Sequence, residues 1–551
     1  MNTQPNKNIQ LLKPYACARD LYKTGVFLDA NENYNQWVKI DWSKMTNLNR
    51  YPDSICDVLR QKLVKKYIKD YKKENIFVAS GSDEIIDLLI RGFVEDNQYI
   101  MVMSPSYSIY ETQTSINNKK IKSILLKENF SLDIEKIKNN IKNVKLIFLC
   151  SPNNPTGNLI TEREIKTVLS FYKGLLVIDE AYIEYAGLRN SFIKLLKTNN
   201  NIIIIRTFSK AWGLAGLRVG YAVADEKIIS TLLKIKESYN LSLTSQLIAL
   251  QALDQVSKLK KVVDETMILK ADLEKKIKDL GINIIPTTTN FILARINNAT
   301  KIYKKLAKES IIVRDRSYLP YLNNVLRITI GSNKENELLI KKLLLASIDG
   351  IIFDMDGILV DVSKSYRETI RQTAGYFLKR NVLMSEVDDI KNIIGMNNDW
   401  DATYSLINKS SINYESVKAY FQKIYLDGLI NNEKLLISKE KLQLLKNKYK
   451  KLAIATGRPK IEAEYAIKKN KLEKIFDCIV ALEDVKNCKP SPDSLLAVIK
   501  KLNLKETVYI GDSSSDVLAA EAAEIPSIYV GKQNIGTIRF QSVLQVINYL
   551  L

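Results

Sequence analysis

The chain has 551 residues, 46% of them hydrophobic, more apolar material than one core usually holds, so two or more domains are predicted. Its five cysteines are scattered and it has no histidine, which excludes a disulfide scaffold, a thiolate zinc site, a Ser-His-Asp triad and imidazole acid–base chemistry. The net charge of +21 comes from lysines spread through both halves without a basic arm, so it is read as a lysine-rich surface and not as a nucleic-acid interface. A field of that sign favours phosphorylated, anionic ligands.

The N-terminal segment has no apolar signal core, and no apolar run reaches membrane length. A cytoplasmic protein without membrane contact is therefore expected. Apolar runs of strand length, such as VKLIFLCSP, GLLVIDEAY, NIIIIRTFS, GIIFDMDG, KLAIATG and TVYIGDS, alternate with segments of helical period. Continuous apolar strands that end in polar or glycine residues mark buried parallel sheets with functional groups at the strand ends. Both halves thus read as α/β.

In chain order, ASGSDEIIDLL reads as a strand end and glycine turn opening a helix, whose first N–H groups at Gly81, Ser82 and Asp83 present a cradle to an anion. SPSYSIY offers Tyr107 to stack on a flat ring, and SPNNPTG offers Asn154 as a hydrogen-bond donor. VIDEAY places Asp179 at the end of an apolar strand, with Tyr182 three residues on. RTFSKAWGLAGLRVGY then supplies Thr207 and Ser209 as phosphate-binding hydroxyls, Lys210 as an amine and Arg218 as a bidentate phosphate clamp. A lysine, a buried acid, an anion cradle and an aromatic lid are the four requirements of a pyridoxal 5′-phosphate site. Asp179 would keep the pyridine nitrogen protonated, and Tyr182 and Asn154 would bond the ring oxygen.

With LLKPYACAR, LDANENYN, NRYPD, TTTNFILAR and LRITIGS, these motifs make the first half resemble the fold-type-I, pyridoxal-phosphate-dependent aminotransferases, specifically the histidinol-phosphate aminotransferase family. The resemblance implies that Lys210 carries the cofactor as a Schiff base and shuttles the proton. It implies that Tyr51 reaches the cofactor phosphate of a neighbouring subunit in a homodimer. It also implies that Asn290, Arg314 and Arg327 hold the substrate, with Tyr15 beside its ring. NENYN departs from the family, which usually has proline after NEN, and this loosens the substrate assignment. A related branch that decarboxylates threonine phosphate shares most of these motifs.

The helical segment Lys334–Ser347 leads into a new strand, and a boundary is expected near Ala346, giving domains of 1–346 and 347–551. FDMDGILVD puts Asp354, as nucleophile, and Asp356, as proton donor, at a strand end. ATGRP offers Thr456 for phosphate, CKPSP offers Lys489 as a fixed cation, and GDSSSD offers Asp512 and Asp516. Asp354, Asp356, Asp512 and Asp516 form an oxygen-only set suited to Mg2+. In this order the motifs resemble the haloacid dehalogenase superfamily, which implies a Rossmann-like domain. The helical stretch at about 365–440 is similar to that superfamily's C1-type cap. The zinc loop of its histidinol-phosphate phosphatases is absent, and a mutase is compatible with the same motifs.

Together the halves imply a bifunctional enzyme. The first would transaminate imidazole-acetol phosphate with glutamate, yielding 2-oxoglutarate and histidinol phosphate. The second would hydrolyse a phosphomonoester, histidinol phosphate being the expected one. The alternatives are a threonine-phosphate decarboxylase-like lyase fused to an unrelated phosphatase, and a nucleic-acid-associated binding protein with degenerate sites.

Overall fold

The computed structural model describes residues 4–10, 12, 14, 18–391, 393, 398–449 and 451–551. The chain divides into two compact units, Met1–Ile277 with Ile282–Lys342, and Leu343–Leu551 with the short stretch Lys278–Gly281. The division falls inside the helix Asn333–Ser347.

The first unit is built on seven strands: β1 (Ile76–Ser80), β2 (Tyr99–Ser104), β3 (Lys120–Leu125), β4 (Val144–Cys150), β5 (Leu175–Asp179), β6 (Ile202–Thr207) and β7 (Val219–Ala224). Their order is β1-β7-β6-β5-β4-β2-β3, parallel except for β7, which runs antiparallel to both neighbours. The strands are apolar throughout because both faces are covered. Successive residues feed opposite cores: Ile202 and Ile204 enter one cluster with Ile147 and Leu149, while Ile203 and Ile205 enter the other with Leu146 and Phe148. The edge strand β3 instead alternates outward lysines, Lys120 and Lys122, which discourage pairing with another chain. Helix α1 (Gly81–Phe93) starts directly at the end of β1.

A smaller antiparallel sheet follows, with β8 (Asn283–Ile285), β9 (Phe291–Arg295), β10 (Arg314–Asp315) and β11 (Val325–Thr329) in the order β10-β11-β9-β8. Its register sets Arg314 opposite Arg327.

The second unit has six parallel strands: β12 (Gly350–Phe353), β13 (Lys451–Ala455), β14 (Cys478–Val480), β15 (Thr507–Gly511), β16 (Ser527–Val530) and β17 (Ile538–Phe540). Their order is β14-β13-β12-β15-β16-β17, so the direction of winding reverses between β12 and β15. In such a sheet the crevice at the reversal, beyond the strands' carboxyl ends, is where ligands bind. Between β12 and β13 the chain leaves the sheet to form the helices α2 (Tyr366–Leu378), α3 (Met384–Lys391), α4 (Asp399–Ile407) and α5 (Tyr414–Leu426). These pack round their own core of Tyr366, Ile370, Val387, Ile407, Val417, Phe421 and Tyr425. The antiparallel pair Val360–Asp361 and Lys434–Leu435 closes the base of this cap.

Candidate functional site

In the first unit the polar groups gather where β1, β5 and β6 surface. Asp179 ends β5 and is buried, and its carboxylate accepts from Tyr110 Oη at 2.8 Å and the Ala181 N–H at 3.0 Å. Burial lifts its pKa to about 6, against the pull of those hydrogen bonds and with Asp83 and Glu180 adding to the rise. Such an acid gains by meeting a protonated ring nitrogen. Lys210, in the turn after β6, donates from Nζ to the Ala30 carbonyl at 2.9 Å and stands 5.7 Å from the centre of the Tyr182 ring. Burial, with Arg327 nearby, lowers its pKa to about 8. The Tyr182 hydroxyl accepts from Asn31 Nδ2 at 2.8 Å, and burial pushes its pKa up to about 12.

The anion cradle is assembled from three segments. Gly81 opens α1 at φ +80°, and a Cβ there would lie 2.6 Å from Arg218 Nη2. The first N–H groups of a helix have no partner within it and are free to face a ligand. Arg218 meets Asp83 at 3.0 Å, and Thr207 Oγ1 donates to Ser209 Oγ at 2.9 Å. Gly220, opposite Thr207 in the sheet, backs directly onto Gly81: a Cβ at 220 would lie 2.5 Å from the Gly81 carbonyl carbon. Tyr107 donates to Asp83 at 3.1 Å and meets Tyr110 edge-on at 5.6 Å.

Beside this cradle, Arg327 is buried on β11. Its Nη1 donates to Asn154 Oδ1 at 2.6 Å and its Nη2 to the Asp29 carbonyl, while its Nε is buried without a hydrogen-bond partner. Burial, with Arg316 and Arg314 close by, lowers its pKa to about 9. A guanidinium depressed in this way is stabilised by an arriving anion. Asn290 donates from Nδ2 to the Asn31 carbonyl at 3.0 Å. Lys210 and Arg327 therefore rest on consecutive carbonyls, those of Ala30 and Asp29. Tyr51 is 80% exposed and stacks on Tyr239 with ring centres 4.4 Å apart. Tyr15 lies outside the described residues.

In the second unit Asp354 follows β12, Thr456 follows β13, and Asp512 and Asp516 follow β15, the last within the helix α6 (Ser514–Ala522). Carboxylate oxygens of Asp354, Asp512 and Asp516 lie within 4.8 Å of one another, a donor set fit for a hard cation. Gly357, at φ +70°, lets the turn pass beneath: a Cβ there would lie 1.9 Å from Asp512 Oδ2. Lys489 Nζ joins the cluster, donating to Asp354 Oδ1 at 2.7 Å, Tyr509 Oη at 2.6 Å and Asp516 Oδ1 at 2.8 Å. Burial raises Asp354 well above the carboxylate range, with Lys489 opposing. Although Asp512 is exposed, desolvation by the surrounding groups and the neighbouring Asp516 and Asp356 raise it to about 7. In Asp516 burial is outweighed by Lys489 and by the Ser513 and Tyr509 hydroxyls, and its pKa is lowered. A bound cation would relieve the crowding of these acids. The group borders a cavity of about 470 Å³ whose wall includes the cap residues Tyr366, Arg367, Lys391, Asp399 and Trp400.

Asp356, expected among the metal ligands, is not part of that carboxylate group; its carboxylate accepts from Arg458 Nε instead. Thr456 is buried, and its hydroxyl accepts from the Arg458 N–H at 3.1 Å, which anchors the turn. Several groups that hold these sites have no motif of their own: Asp29, Asn31 and Tyr110 in the first unit, Arg458, Glu433 and Tyr509 in the second. LDANENYN, SPSYSIY, ATGRP and TVYIGDS contain five of the six, but nothing local in those segments marks which of their residues reach the sites.

Residues 22–343 match the family aminotransferase class I and II, and residues 351–530 match haloacid dehalogenase-like hydrolase. Histidinol-phosphate aminotransferases of Cytophaga hutchinsonii and Parabacteroides distasonis are 40% identical over 343 and 342 residues, 61% of this chain and 96% of each relative. The crystal structure of histidinol-phosphate aminotransferase from Sinorhizobium meliloti, in complex with pyridoxal-5′-phosphate, shares the fold with a TM-score of 0.57 at 24% identity, over 62% of this chain and 96% of that one. That of the Clostridium acetobutylicum enzyme gives a TM-score of 0.53 at 26% identity, over 58% and 98%. The chain belongs to the class I and II aminotransferases, within them to the histidinol-phosphate aminotransferase family, and carries a haloacid dehalogenase-like hydrolase domain behind the aminotransferase.

Proposed function

We propose that the first unit binds pyridoxal 5′-phosphate at Lys210 and transaminates imidazole-acetol phosphate with glutamate, giving histidinol phosphate and 2-oxoglutarate. The observation that carries this is the pairing of Lys210, an amine of lowered pKa, with the partly unsatisfied Arg327 on adjacent carbonyls. The residues fit the cofactor: Gly81, Ser82, Asp83, Thr207, Ser209 and Arg218 would hold its phosphate, and the Gly81 cradle leaves no room for a side chain. When bound, the cofactor supplies an electron sink that stabilises negative charge at the substrate Cα. Asp179 would hold the proton at the ring nitrogen, and Tyr182 and Asn154 would orient the ring oxygen. Lys210 Nζ would take and return the proton at the substrate Cα, while Arg327 and Arg314 hold the substrate's anionic groups and Asn290 supports them.

We further propose that the second unit hydrolyses a phosphomonoester, histidinol phosphate first among the candidates. Asp354 attacks phosphorus, the P–O bond to the alcohol breaks, and Asp356 protonates the leaving oxygen. Water then attacks the phosphoaspartate, its proton passing to Asp356, and inorganic phosphate leaves. Asp354, Asp512 and Asp516 would hold Mg2+, which offsets charge on the phosphoryl oxygens. Lys489 offsets the charge of Asp354 and Asp516, and Thr456 orients phosphate.

A homodimer is proposed with the aminotransferase reading, supported by the outward-facing Tyr51. A cytoplasmic location is proposed too: the four described cysteines Cys56, Cys150, Cys478 and Cys488 are free, and no described helix is long and apolar enough to cross a membrane. The test is incubation of purified, pyridoxal-phosphate-loaded protein with histidinol phosphate and 2-oxoglutarate. Glutamate formation is the expected result. No glutamate, with carbon dioxide released from threonine phosphate, would replace it by the lyase reading. With Mg2+ and histidinol phosphate, release of inorganic phosphate is expected, and its absence would leave the second substrate to be sought elsewhere.

A further inference from the structure

Arg458 is 2% exposed, yet all of its nitrogens are engaged. Its Nε donates to Asp356, its Nη1 and Nη2 fork onto Glu433 at 3.0 and 3.1 Å, and its backbone N–H donates to Thr456 Oγ1 at 3.1 Å. The guanidinium lies 4.8 Å from the centre of the Tyr366 ring. Glu433 is itself buried and accepts from Ser365 Oγ at 3.0 Å and Tyr425 Oη at 2.9 Å. Ser365 stands just before α2, and Glu433 just before the strand Lys434–Leu435. These are the two places where the chain passes between sheet and cap. Burying the Arg458 cation with the Glu433 carboxylate, and tying it to Asp356 whose side chain is 32% exposed, is expensive in desolvation, and an apolar cluster of the same volume would stabilise the fold at least as well. The arrangement is explained by what it does for Asp356. Asp354, two residues away, joins the three-carboxylate group, and Asp356 is drawn out of it.

Resting on the phosphatase reading above, we infer that Arg458 is a positioning residue that aims the Asp356 carboxylate at the leaving oxygen, and that Glu433 holds Arg458 from the base of the cap. The proton donor is thereby set only when the cap linkers are seated, and the cation-binding and proton-donating carboxylates are kept apart.

The experiment compares two esters on the full chain with Mg2+. p-Nitrophenyl phosphate has a leaving group that needs no proton, and glycerol 2-phosphate has one that does. Arg458→Ala is expected to lower kcat/KM, which reports phosphoryl transfer and alcohol release but not the later hydrolysis common to both esters, by about 10²–10³-fold for glycerol 2-phosphate, the usual worth of a general acid, and by less than about tenfold for p-nitrophenyl phosphate. Guanidinium at millimolar concentration should restore about tenfold or more of the lost glycerol 2-phosphate rate. Glu433→Gln should show the same selectivity at smaller size, and it carries the test should Arg458→Ala fail to fold. Circular dichroism and the thermal unfolding profile of the same preparations report whether the second unit is folded. An equal loss on both esters, or none on either, overturns the inference. No phosphate from either ester with the unaltered chain overturns the phosphatase reading instead.

Discussion

Lys210 and Lys489, the lysines of the two sites, are both largely enclosed and are driven in opposite directions. Lys210 donates to a neutral carbonyl, and burial, helped by Arg327 and Arg218, outweighs the pull of Glu32 and Asp83 and lowers its pKa to about 8. Lys489 has a side chain only 8% exposed, but it donates to Asp354 and Asp516, and these outweigh desolvation and hold its ammonium form above the ordinary lysine range. Desolvation has the same sign in both places. The partners decide whether the lysine is a base and nucleophile or a fixed cation. The acids mirror this: Asp179 is raised to about 6 with only hydrogen bonds to oppose burial, whereas Asp516 is brought down by its cation.

The comparison breaks most sharply by deletion. Lys210→Ala should lower transamination by more than about 10⁴-fold and leave phosphate release unchanged. Asp354→Asn should do the reverse, and parallel assays of both reactions check the pair. If both activities fell in one variant of intact fold, the two sites would not be independent. Lys489→Met should lower phosphate release by about 10³-fold. It should also cost about 3–5 kcal/mol of stability in the second unit, because it leaves Asp354 and Asp516 buried without their cation. Lys210→Met breaks no ion pair and should shift the denaturation midpoint far less. Chelation by EDTA should stop phosphate release and spare transamination, with Mg2+ restoring the former.

A smaller effect sharpens the same contrast. A lowered pKa means that Lys210 loses its proton as pH rises through about 8, earlier than an ordinary lysine. The rate at which cofactor-free protein captures pyridoxal phosphate, followed by absorbance, should climb about tenfold per unit below that pH and level off above it. A climb that continued to pH 10 would show an unperturbed lysine. The smallest expected change is in Tyr51→Phe, which should weaken cofactor retention a few-fold while leaving the isolated subunit's fold unaltered.

Much of the candidate sites was legible because strand ends are local. An apolar run followed by a polar residue places Asp179, Thr207, Asp354, Thr456 and Asp512 without reference to the rest of the chain. Glycine turns do the same for Gly81 and Gly357, where positive φ and close neighbours exclude a side chain. The helical insertion was visible as a pause in the strand pattern. Bonds between distant segments were not visible: Asn31 with Tyr182 are 151 residues apart, and Arg458 with Asp356 are 102 apart. Nothing in FDMDG distinguishes an aspartate that joins a carboxylate cluster from one drawn off by an arginine. That choice depends on where the turn after β13 lands.

By itself the sequence determined which residue types stand at the ends of buried strands, and so the two chemistries available. It also excluded every mechanism that needs histidine, because none is present. Only the tertiary structure decided what each group becomes. Lys489 meets Asp354 from 135 residues away and keeps its proton, while Lys210 meets the Ala30 carbonyl from 180 residues away and sheds it more readily. The reason is that a pKa is set by burial and by neighbouring charge, and both are properties of the folded neighbourhood and not of the residue.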